Sequence, residues 1–106
     1  MKPFKPQRPI GQIYTEFATH AITLATRARA IGTQLSGRDQ ELAFDHAAFA
    51  QRFSVKAQKA AERCVLIMND GALKDYCAQF DKVLEQFVKF AEIAEKDLER
   101  LEAKSH

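Results

Sequence analysis

Residues 73–101 read LKDYCAQFDKVLEQFVKFAEIAEKDLERL. Apolar side chains recur at Leu73, Cys77, Phe80, Leu84, Phe87, Ala91, Ala94, Leu98 and Leu101, at alternating steps of 4 and 3. That spacing keeps one face of an α-helix apolar, and holding it this long makes a heptad seam. No Gly or Pro interrupts the run, and strong helix formers occupy its other positions. The pattern predicts a helix over 71–104. Asn69-Asp70-Gly71, just before it, predicts a turn, with Asp70 able to cap the helix that follows.

Working backwards, a second series comprises Leu42, His46, Phe49, Phe53, Ala57, Ala60, Cys64 and Ile67, with one stutter in the heptad. It predicts a helix over 39–68, begun by Ser36 or Asp39 as N-cap. A third series, Ile10, Tyr14, Phe17, Ala21, Leu24, Ala28, Ile31 and Leu35, follows Pro9, a residue suited to a first helical position. It predicts a helix over 9–35, with Gly32 and Ser36-Gly37 weakening its end. Short turns make consecutive helices antiparallel neighbours. The expected fold is therefore all-α, an antiparallel three-helix bundle with heptad-like seams.

Facing pairs follow from constant sums of residue numbers. The second and third helices pair Cys64 with Cys77, Ala60 with Phe80, Phe53 with Phe87, Phe49 with Ala91 and His46 with Ala94, summing to 140 or 141. The first and second pair Ala28 with Phe49, Leu24 with Phe53, Ala21 with Ala57 and Phe17 with Ala60, summing to 77 or 78. Large side chains then face small ones, which suits close packing at uniform helix spacing.

The chain has 106 residues, 46% of them apolar, and 17 are alanine. This suits one small domain over 9–106 and excludes a two-domain enzyme. Residues 1–8 hold Lys2, Lys5, Arg8 and two of the three prolines, and read as an extended or disordered basic tail. No apolar segment follows that would make the tail a secretory signal, and no run of apolar residues is long enough to cross a membrane. Two cysteines are too few for a disulfide framework. A cytoplasmic protein with reduced thiols and no membrane contact is expected.

Several features lie outside the seams. Tyr76, Val83 and Phe90 recur every seven residues beside the third seam, and Phe44, Ala48 and Val55 flank the second. Such residues either widen the core stripe or form an interface with a partner helix or a second copy. Arg52, Lys56, Lys59 and Arg63 share one outward face of the second helix. They are either a solvated face paired with neighbouring carboxylates or, with Lys2, Lys5 and Arg8, a phosphate-contacting surface. Residues 1–63 carry ten basic and five acidic residues, and 64–106 carry six and nine, so a net +2 divides into +5 and −3. Thr15, Thr19, Thr23 and Thr26 crowd one side of the first helix, an unusual choice for an exposed helix face.

Chemistry-bearing residues are sparse. His46 falls in the second seam, where burial favours its neutral form unless Asp45 or Asp97 reaches it. His20 follows Glu16 by one turn, a weak ligand pair. Cys64 and Cys77 share a layer with Tyr14, either as inert buried thiols or as a redox-sensitive pair. There is no phosphate loop, no nucleophile–base pairing, no His-Glu-x-x-His and no Cys-x-x-Cys. No enzyme activity, cofactor or metal is expected. The expected function is binding to another protein or to a second copy, with nucleic-acid binding through the basic stripe as the alternative.

Overall fold

A computed structural model describes residues 10–104. The chain forms three helices, α1 (Ile10–Gly32), α2 (Gly37–Leu66) and α3 (Asp70–Lys104), and no strand among these residues. The all-α expectation holds. The helices run as an antiparallel succession: α2 meets α3 through Phe53 with Phe87 and His46 with Asp97, so one numbering falls as the other rises. Accordingly α1 and α3 run parallel, linked by His20 with Glu95 and Arg27 with Glu102.

Helix α1 ends at Gly32, three residues short of the expected limit. Beyond it the amides of Gln34 and Leu35 bond to Ile31 and Gly32, tightening the last turn. Gln40 completes the closure, its Nε2 donating to the carbonyls of Gly32 (2.9 Å) and Leu35 (2.8 Å). The turn needs Gly37, whose φ is +66°, a region that a side chain disfavours. Ser36 takes the N-cap position of α2 without a side-chain cap bond. At the other turn the cap is Asn69 and not Asp70: Asn69 Oδ1 accepts from the Ala72 amide at 2.9 Å.

The contact between α1 and α2 is closer than uniform helix spacing would give. Phe49, expected to face Ala28 and Ala91 from within the core, lies at its edge, 39% exposed, with its ring tilted against Phe90 and the centroids 4.2 Å apart. Small residues lie between the two helices instead. Ala18, Ala21, Ala25, Ala28 and Gly32 make one small-residue series on α1, and Ala43, Ala47, Ala50, Ser54 and Ala57 make another on α2. All ten are buried. The Gly11 backbone sits 3.3 Å, at the position a Cβ would take, from the Ala61 carbonyl, and Gly32 lies under the Phe44 ring.

Helix spacing is therefore not uniform. The α1 and α2 backbones run close along their shared length, and α3 stands off from both. Side-chain size sets the distance between helix axes, and the α3 interface is built of rings. Tyr14 contacts Phe80 at 4.8 Å, Phe17 contacts Phe87 at 6.3 Å, and Phe53 stacks on Phe87 at 4.1 Å. Leu98 and Leu101 are fully buried at one end of this interface.

Candidate interaction surfaces

The bundle has three lateral faces, and their chemistry differs. On α3 the acidic Asp81, Glu85, Glu92, Glu95, Glu99 and Glu102 fall on the flank toward α1, by the helical period. Lys82, Lys89, Lys96 and Arg100 fall on the flank toward α2, with Lys74, Asp75 and Asp97 departing from the division.

The acidic flank is tied to α1. Arg27 forms a two-pronged bond to Glu102 at 2.8 and 2.9 Å, and His20 meets Glu95 at 3.3 Å. Glu16 is therefore not the group that the His20 ring bonds to here. The sequence holds a weak signal for these ties, since both span 75 residues between parallel helices.

The flank toward α2 carries the basic stripe. Arg52, Lys56, Lys59 and Arg63 are exposed, as the helical spacing requires. Arg52, Lys56 and Lys59 make no ion pair among the described residues. The Arg63 guanidinium lies 5.9 Å from the centre of the Tyr76 ring. A cleft of about 130 Å³ opens between the helices, with Arg52 and Lys56 at its edge and Phe49, Phe53 and Phe87 beneath. Lys2, Lys5 and Arg8 lie outside the described residues.

His46 points along this same flank, away from Ile31. Its Nε2 donates to Asp97 Oδ2 at 2.9 Å, and its ring meets Phe90 edge-on at 5.5 Å. The bond from His46, helped by Arg100, holds the Asp97 carboxyl below its ordinary range against the opposing effect of burial.

Tyr76, Val83 and Phe90 pack against the core as a widened stripe, each half-buried. Phe44 is occupied too, since its ring covers Gly32. Val55 is different: it is 45% exposed and matched by Ile22 at 50% on α1.

These two residues centre the third face, the side of the α1–α2 pair opposite α3. Two depressions adjoin it: one of about 350 Å³ reaching Ile22, Gln51 and Val55, and one of about 480 Å³ at the bundle end, reaching Gly11, Thr15, Val65 and Leu73 of α3. Charge is scarce there. Arg29 donates to Gln51 Oε1 across the face at 3.2 Å, Glu62 lies near the far end, and Lys59 stands at the rim. The threonines gain a physical account as well. Thr15 Oγ1 donates to the Gly11 carbonyl (2.9 Å), Thr19 to Thr15 (3.1 Å) and Thr23 to Thr19 (3.0 Å). A hydroxyl bonded to its own helix needs less water, so covering Thr15 and Thr19 costs less than their polarity suggests.

At the end of the bundle Cys64 and Cys77 come together with Tyr14. Both thiols are free, Cys64 buried and Cys77 half-buried. Burial first, and then the bond and charge of Cys77, push the Cys64 thiol above its ordinary range. Burial and a hydrogen bond with Cys77 push the Tyr14 hydroxyl upward likewise. Beside them the turn exposes Leu66 (77%) and Met68 (89%).

Among the described residues no group of three His, Cys, Asp or Glu side chains could hold a metal, and no helix is long and apolar enough to cross a membrane. No protein-family model matches the chain, and no curated protein or solved structure matches it significantly.

Proposed function

We propose that this chain is a cytoplasmic, non-enzymatic binding protein, an adaptor, accessory subunit or inhibitor, that docks through the α1–α2 face. One observation carries the proposal. The face opposite α3 leaves Ile22 and Val55 side by side and exposed, among threonines whose hydroxyls are already bonded and with few charges. Apolar centres with polar, satisfiable surroundings are the make-up of protein interfaces. The close α1–α2 contact holds the two helices of this surface together, so little order is lost when it is covered.

A photo-crosslinking residue at position 55 in the source cells is expected to give a discrete adduct, and one at Lys96, exposed on α3 away from this face, none. Failure at positions 55, 22 and 51 alike would remove the proposal.

A second function, nucleic-acid binding, is favoured by the basic stripe, since Arg52, Lys56 and Lys59 have, among the described residues, none of the carboxylate partners that an ordinary solvated face would supply. Each phosphate that the stripe neutralises adds about 0.9 to the salt slope of binding. Anisotropy titration at two salt concentrations tests this: steep weakening with salt supports it, and no binding at low salt ends it.

A further inference from the structure

Resting on the docking face just proposed, we infer that its occupant is a second copy of this chain, two α1–α2 faces meeting about a two-fold axis. The level of each residue on the face follows from the α1–α2 register. Ile22 and Val55 line one depression, Arg29 lies seven residues beyond Ile22 on α1, and Glu62 lies seven residues beyond Val55 on the antiparallel α2. Arg29 and Glu62 therefore lie on opposite sides of the Ile22–Val55 level, each about 10 Å away along the helix.

A two-fold axis in the plane of contact, perpendicular to the helices and crossing at that level, has two effects. It lays the Ile22–Val55 centre of one copy on the same centre of the other. It also brings Arg29 of each copy level with the partner's Glu62, so one pairing of opposite charges arises twice. The face is self-complementary in the sense that isologous dimers require.

The two other faces lack this property. The acidic flank of α3 set against itself opposes carboxylates, and the basic flank opposes lysines and arginines. A strongly charged foreign partner would in turn find little to pair with on the α1–α2 face. The area suits a dimer as well. The 23 residues of α1 span roughly 34 Å, and two adjacent helices are roughly 18 Å wide, or roughly 600 Å² per copy. Both copies together reach about 1,200 Å², the lower end of specific interfaces. Thr15 and Thr19 enter that contact with their hydroxyls already bonded, and Lys59 stays at the rim.

Sedimentation equilibrium of the full chain from about 1 to 500 µM tests the inference. The mass is expected to rise from 12.0 kDa toward twice that value. Val55→Asp should weaken the dimer at least about tenfold while the helical circular dichroism stays unchanged. Arg29→Glu and Glu62→Arg should each weaken it by about fivefold or more, and the double reversal should restore it to within about twofold. A mass fixed at 12.0 kDa throughout, or a double reversal no better than either single change, overturns the dimer. The crosslink at position 55 then separates the two proposals. An adduct to a different protein leaves the docking face standing and removes only the second copy, and no adduct removes both.

Discussion

Helix α1 touches α2 through alanine and glycine, and touches α3 through phenylalanine, tyrosine and an arginine fork. The first contact is narrow and lets the backbones approach. The second is wide and filled by rings that stack or meet edge-on. The difference is one of tolerance. An alanine seam has no side-chain volume to give up and no space to receive any, so it resists addition. The aromatic interface holds most of the buried side-chain volume, so it resists subtraction. Because α3 takes the rings, the opposite side of the α1–α2 pair is left weakly charged and open.

The sharpest test of that contrast removes volume from the aromatic side. Phe87 is 1% exposed and meets Phe17, Phe53 and Phe90, so Phe87→Ala should cost about 3–5 kcal/mol in a urea titration. A loss under about 1 kcal/mol would mean that α3 is not held by its rings. The reciprocal test adds volume to the seam. Ala25 is fully buried between α1 and α2, and Ala25→Leu should cost about 1–3 kcal/mol by forcing the backbones apart. A neutral result would show that the two helices are not closely seated. At the bundle end, mild oxidation should join Cys64 to Cys77, with a loss of two mass units and roughly 3 kcal/mol of added stability from closing the loop between α2 and α3. Two thiols that stay free under oxidation would show that their hydrogen bond is not a bonding geometry.

The smallest effect is electrostatic. The Asp97 carboxyl is held below the ordinary 3.8 by His46. A depressed folded value adds stability that is present above the unfolded value and lost as pH falls through the folded one. Stability should therefore decline below about pH 4, and Asp97→Asn should remove that part of the decline. An unchanged acid limb in thermal melts of the variant would show that the His46–Asp97 bond does not form in solution.

Much of the architecture was readable without coordinates. The α3 seam is long and unbroken, and Phe53 with Phe87 and Cys64 with Cys77 fall where a constant sum puts them. Side-chain volume alone is a poor mark of burial between α1 and α2. Leu42, His46 and Phe49 make a regular series, yet Ala43, Ala47 and Ala50 beside them make an equally regular one, and only the second enters the seam. Alanine is weakly apolar and common on helix surfaces, so its periodicity carries little signal until a second alanine series is matched against it. Ala18, Ala21, Ala25 and Ala28 on α1 make that second series.

What the sequence determined by itself is the set of helices, their order and their antiparallel succession, because these depend on local period and on short turns. What only the tertiary structure decided is which of two adjacent stripes on α2 faces α1 and which faces α3. The choice falls to packing: the helices that can approach most closely do so through their smallest residues, and the rings go where space remains. The open α1–α2 face, with Ile22 and Val55 at its centre, is a consequence of that choice. No single helix carries it, because it exists only once two helices lie side by side and the third has taken the other side.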